Sequence, residues 1–143
     1  MLRFDCVIET APLPRRYQEA IELDGVRVVP VAKGADQSAP WGVTFDDAGE
    51  QLATIERLYF EPDGSIVWAK EDEAGQRWQV DGNLYDRGPE LGYVQLMGRC
   101  PAAAFEQLLS VLGWPEAPLV FQLPRAGVVL EYDEFMKWAR REG

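Results

Sequence analysis

Two short loops of the same form dominate the centre of the chain. Glu61-Pro62-Asp63-Gly64-Ser65 and Asp72-Glu73-Ala74-Gly75-Gln76 each place a glycine where a three-residue hairpin needs a left-handed residue. Each loop sets a strand register by itself. The first pairs Phe60 with Ile66, Leu58 with Trp68 and Glu56 with Lys70. The second pairs Trp68 with Val80, Lys70 with Trp78 and Glu71 with Arg77. Both put Leu58, Phe60, Ile66, Trp68, Trp78 and Val80 on one face, and a one-residue slip in either hairpin would destroy the agreement. The segment is therefore predicted to be a three-stranded antiparallel meander.

The flanks extend this pattern. Residues 2–9 alternate as a strand with Leu2, Phe4, Cys6 and Ile8 inward, ended by Pro12 and Pro14. Asp24-Gly25 between Tyr17–Leu23 and Val26–Val31 signals a two-residue hairpin that sets Leu23 opposite Val26, Ile21 opposite Val28 and Glu22 opposite Arg27. Pro30 places that second strand at an edge or its end. Residues 33–50 read as a loop anchored by Trp41 and Phe45. Asp81-Gly82-Asn83 fits either a bulge in a long strand or a tight turn, Asp86–Glu90 is a turn, and Tyr93–Gly98 is a strand. Pro101 suits a first helical position and Gly113 the residue after the helix, with Phe105, Leu108, Leu109 and Leu112 as one apolar stripe. Leu119–Leu123 and Val128–Leu130 read as strands. Asp133 is placed to cap a last helix carrying Phe135, Trp138 and Ala139, with Arg140 and Arg141 at its C-terminus.

The expected fold is a single α+β domain over residues 1–143. It is a mainly antiparallel, curved sheet of about six to eight strands with two C-terminal helices packed on one face. The alternative is a partly closed β-barrel.

Composition narrows the function. The chain has 24 acidic and 14 basic residues, net −10, and no His. That excludes imidazole catalysis and His metal sites, and it disfavours nucleic acid and anionic membranes as partners. No run is long and apolar enough to span a bilayer, and Arg3 and Asp5 interrupt any signal-like core, so a cytoplasmic protein is expected. Cys6 and Cys100 read as reduced thiols, and a nucleophilic role would need an activating neighbour that sequence adjacency to Arg99 does not supply. Phosphate-cradling glycine motifs are absent, and Asp46-Asp47-Ala48-Gly49-Glu50 lacks the alternate spacing of a calcium loop. No cofactor, metal or catalytic residue is predicted.

The charge is concentrated. Residues 46–90 hold twelve acids and four bases, whereas residues 1–45 and 91–143 each hold six acids and five bases. A localised net charge of −8 without catalytic motifs points to a non-enzymatic binding module, adaptor- or immunity-like, engaging a basic protein. A small-ligand carrier built on a concave sheet face is the alternative. A carboxylate hydrolase, with Asp81 and Asp86 as its pair, ranks third. The meander's other face carries Ile55, Arg57, Tyr59, Val67, Ala69, Glu71, Arg77 and Gln79. The binding residues expected on that face and its rim are Tyr59, Glu71, Tyr85, Asp86 and Arg87.

Overall fold

The computed structural model describes residues 1–33 and 37–142. The elements are, in order, β1 (Leu2–Thr10), β2 (Pro12–Leu13), β3 (Ile21–Leu23), β4 (Val26–Val28), β5 (Gln37–Ser38), α1 (Phe45–Ala53), β6 (Leu58–Phe60), β7 (Ser65–Glu71), β8 (Arg77–Arg87), β9 (Glu90–Cys100), α2 (Ala102–Val111), β10 (Leu119–Leu123), β11 (Val128–Glu131) and α3 (Tyr132–Ala139). Seven strands form one antiparallel sheet in the order β11-β10-β1-β9-β8-β7-β6. The helices cover one of its faces, as an α+β chain of this pattern requires. The sheet stays open: β6 and β11 are its opposite edges, so the barrel alternative is not realised.

The meander has the registers the loops dictate. Phe60 pairs with Ile66, Leu58 with Trp68, Trp68 with Val80, Lys70 with Trp78 and Glu71 with Arg77. Gly64 and Gly75 sit at φ 96° and 81°. In each loop an acid fastens the reversal: Asp63 accepts from the Ser65 backbone N–H (2.9 Å) and hydroxyl (2.7 Å), and Asp72 accepts from the N–H groups of Ala74 (3.0 Å) and Gln76 (2.7 Å). Trp68 and Trp78 meet edge to face at 5.0 Å inside the core. The expected Glu56–Lys70 pair does not form. Arg57 turns to φ 71° before β6 begins, and the Glu56 carbonyl accepts the Trp68 indole N–H at 3.0 Å instead.

Asp81-Gly82-Asn83 is uninterrupted strand, with Gly82 between Ile66 and Leu96. The bulge lies further on, at Tyr85/Asp86. The Asp24 hairpin pairs as read, but its strands are short, and Val31 instead bridges Tyr17 and Val129.

Three helices, not two, cover the core face. Part of the loop expected over residues 33–50 is α1; residues 34–36 lie outside the described residues. Thr44 caps α1 by accepting the Asp47 N–H at 3.0 Å, with Asp46 and Asp47 in the favourable first turn. Ala48, Gly49 and Leu52 form its buried side, close against Phe60. Trp41 does anchor its segment: it is buried and donates to the Leu112 carbonyl at 2.7 Å. Pro101 is the cap residue of α2 rather than its first helical residue, because its ψ of 152° is still extended. Asp133 does not cap α3, which starts one residue earlier at Tyr132; Glu131 holds the cap position and its carboxylate pairs with Arg15 at 2.6 Å. The centre of the core is an aromatic stack in which Phe105 meets Phe4 (4.8 Å) and Phe135 (5.5 Å), and Phe135 meets Phe121 (4.4 Å). One continuous core reaches from Leu2 to Ala139. Among the described residues, no helix is long and apolar enough to cross a membrane.

Candidate functional site

The face of the sheet opposite the helices carries the odd-numbered residues of β1, β6, β7 and β8, and those of β9 from Tyr93 onward. Strand pairing lays them out in rows. One row crosses five strands as Tyr59, Val67, Asp81, Met97 and Asp5. It interleaves three exposed large side chains with two carboxylates: Tyr59 is 70% exposed, Val67 42% and Met97 51%. Beside it runs a polar and basic row of Ala69, Gln79, Arg99 and Arg3. Towards the other end, Tyr85 stacks on Tyr93 at 4.4 Å and 17°, with Tyr93 still 40% exposed. Tyr59, Val67, Tyr93 and Met97 are half of the large exposed hydrophobic side chains among the described residues.

The tyrosine end is also the acidic end. The β6–β7 loop, the β8–β9 turn and the start of α1 are tied together there. Leu84 N–H donates to the Gly64 carbonyl (2.8 Å), Phe45 N–H to Pro89 (3.1 Å) and Leu91 N–H to Val43 (3.1 Å). This brings the segments carrying Asp46, Asp47, Glu61, Asp63, Asp86 and Glu90 to one end of the sheet. Hydrogen bonds from the Ser65 hydroxyl and backbone hold Asp63 below the usual carboxylate range.

The five residues expected from sequence are not one cluster. Tyr85, Asp86 and Arg87 lie together at the acidic end. Glu71, opposite Arg77, is at the far end of β8, eight residues or about 26 Å from Tyr85. Tyr59 stands about midway, on the edge strand. Glu71 helps line a shallow polar depression of about 300 Å³ with Arg57, Ala69, Lys70 and Arg77. Sequence reading did not connect Tyr59 and Val67 with Asp81, Tyr93, Met97 and Asp5. Their alternation was visible, but the row depends on pairing between distant strands.

The structure does not bring the carboxylate pair expected from sequence together. Asp81 accepts from the Gln79 amide at 3.0 Å in mid-sheet, while Asp86 lies five residues along the strand, about 16 Å away. That exceeds the separation at which two carboxyl groups act on one bond. Asp46 and Asp47 belong to the first turn of α1, and no group of three or more potential metal-ligating side chains occurs among the described residues. Cys6 and Cys100 are free and buried; burial raises both thiols, that of Cys100 to about 12. Neither supplies a thiolate at neutral pH. No family model, curated protein sequence or solved structure matches the chain.

Proposed function

We propose that this protein is a non-enzymatic binding module that takes a basic protein partner on the helix-free face of its sheet. The observation that carries the reading is the row Tyr59, Val67, Asp81, Met97, Asp5, in which three exposed large side chains stand beside two carboxylates. Five strands by eight residues make a patch on the order of 600 Å², close to the roughly 800 Å² per partner of a standard interface. Apolar groups in such a patch supply affinity. The carboxylates within it and the acidic end beside it select a cationic surface and speed its approach. Two buried, unpaired thiols are compatible with the cytoplasmic setting this reading assumes.

The test uses a synthetic peptide of interleaved Arg, Lys and Leu residues, titrated into ¹⁵N-labelled protein at low and high salt. Amide shifts are expected on Tyr59, Val67, Asp81, Tyr93, Met97 and the Asp86–Glu90 turn. Affinity should fall steeply with salt. Tyr59→Ser with Met97→Ser should weaken binding about tenfold, a loss of about 1.4 kcal/mol. Shifts spread over α2 and α3, or affinity untouched by the double substitution, would overturn the proposal.

A further inference from the structure

A second feature of the sheet has a different chemistry. β1 begins at Leu2, but its neighbour β10 stops at Leu123 after pairing Gln122 with Val7. In line with Asp5 stands Pro124, which has no N–H to continue the ladder. There the chain turns into β11, closed by the Gly127 N–H on the Leu123 carbonyl at 2.9 Å. The edge of β1 from Leu2 to Asp5 is thus left unpaired by β10. The resulting notch is a cleft of about 980 Å³. That is at the upper end of the range for small-molecule sites.

Four of the 14 basic residues converge on this cleft, each from a different element: Arg3 from β1, Arg99 from β9, Arg125 from the β10–β11 turn and Arg141 from just beyond α3. Backbone carbonyls position three of them. Arg141 Nη1 donates to the carbonyls of Arg3 (3.0 Å) and Trp138 (3.2 Å). Arg3 Nη2 donates to the Arg141 carbonyl (2.9 Å), and Arg99 Nη2 reaches the Arg77 carbonyl at 3.4 Å. The Arg141 guanidinium lies over the Trp138 ring, 3.9 Å from its centroid. Such an arrangement fixes the direction of the guanidinium groups.

Three carboxylates also line the cleft: Asp5, Asp24 and Glu142. Asp24 is engaged by the Trp138 indole N–H at 2.9 Å and stands 3.9 Å from Arg141 Nε. Among the described residues, Arg99 and Arg125 form no ion pair. Burial and the nearby Arg3 charge lower the Arg141 pKa, against the opposing pull of Asp24. Leu23, Leu123 and Trp138 add an apolar wall.

We propose that this notch is a binding site for a small organic oxyanion, a carboxylate or phosphate group carried on an apolar body. Guanidinium forks bind either group, and stacking on Trp138 holds Arg141 ready for it. The apolar part rests on the Leu23–Trp138 side. The site adjoins the docking face, sharing Asp5 and Met97 with its row, but it takes a ligand of the opposite charge through Arg99, Arg125 and Arg141, which the docking proposal does not use.

The experiment is calorimetric titration of the whole chain with phenyl phosphate, phenylacetate, inorganic phosphate and benzylamine. The Trp138 indole N–H resonance serves as a local reporter. Phenyl phosphate and phenylacetate should bind and shift that resonance. Inorganic phosphate should bind more weakly, and benzylamine should not bind. Which of the two aromatic anions binds tighter identifies the preferred headgroup. Arg125→Gln, at an exposed side chain, and Arg99→Gln, at a half-buried one, should each weaken anion binding about tenfold without loss of fold. Arg141→Gln should weaken it further. No binding by either aromatic anion, benzylamine binding as tightly as phenylacetate, inorganic phosphate binding as tightly as phenyl phosphate, or unchanged affinity in the Arg125 and Arg99 variants would each overturn the proposal.

Discussion

Replacing Gly82 with alanine tests the continuity of β8, on which the layout of the helix-free face depends. Gly82 has no unusual φ, so alanine is conformationally acceptable there and would gain roughly 0.5–1 kcal/mol by restricting the unfolded chain. Space decides the sign. A methyl at Gly82 would lie 2.4 Å from the Gln95 carbonyl oxygen and 2.6 Å from Leu96 Cδ2. The leucine tip can swing aside, but the carbonyl belongs to the adjacent strand and cannot move without loosening the β8–β9 ladder. Overpacking of this kind costs about 1–3 kcal/mol, so the net change is a loss on the order of 1–2 kcal/mol. Unfolding entropy of about 2 cal/mol/K per residue makes about 0.3 kcal/mol/K for 143 residues, so Tm should fall by about 3–7 °C. The assay is thermal unfolding followed by circular dichroism, with Gly75→Asn as control. Gly75 has φ +81° and nothing within 4 Å of the added carbon, so asparagine should be nearly neutral there. Gly82→Asn discriminates further: a larger side chain is worse than alanine in a packed strand but better in a tight turn. A Gly82→Ala protein as stable as the wild type, or a Gly82→Asn protein more stable than Gly82→Ala, would refute the reasoning.

Trp41→Phe should lower stability by about 1–3 kcal/mol by stripping the Leu112 carbonyl of its buried donor, read as a lower urea midpoint at unchanged m; an unchanged midpoint would contradict that role. Cys6 and Cys100 should resist a thiol reagent at pH 8 in the native state and both react in denaturant; rapid native labelling would show that their burial is wrong. Asp63 titrates below its ordinary 3.8 when folded, so the contribution of its Ser65 bonds is complete above the unfolded value and lost as pH falls through the folded one. Carboxyl ¹³C titration should find that depressed value, and Asp63→Asn should lose less stability on acidification than the wild type.

The parts of the fold legible in the sequence are those whose geometry is local. A glycine in a three-residue loop determines which residues face each other a few positions away, and the meander and the Asp24 hairpin pair accordingly. α1 was hidden for a different reason. Its buried stripe, Phe45, Ala48, Gly49 and Leu52, has helical spacing, yet two of the four residues are small and one is a poor helix former. At Gly49 there is no room for a side chain, because Phe60 lies against it. The row of the candidate site was hidden by a single extra residue. From the β8–β9 turn, Arg87 pairs with Glu90 and Asp86 with Leu91, which in unbroken register would set Asp81 opposite Leu96. The irregularity leaves Gly92 out of the count and sets Tyr85 opposite Tyr93, hence Asp81 opposite Met97. That shift puts Met97 on the helix-free face and Leu96 in the core.

Charge shows the same dependence on distant contacts. The first and last thirds of the chain are each nearly neutral, so nothing in their composition distinguishes them from ordinary surface. The arginines of the cleft nevertheless belong to those two thirds, and the closest link between them joins residues 138 positions apart. Placing β1 between β9 and β10 brings the start and end of the chain to one end of the sheet. The turns and the α1 cap gather six acids of the middle third at the other. A chain of net charge −10 thereby collects four arginines against three carboxylates in the cleft. The potential it presents is directional rather than uniformly negative. A cationic protein approaching the helix-free face would be turned towards the tyrosine end and away from the cleft, and a small anion would be drawn only to the cleft. The two proposed sites meet at Asp5 and Met97, and the cleft stays open beside the arginines because Pro124 ends β10 before it can close over them.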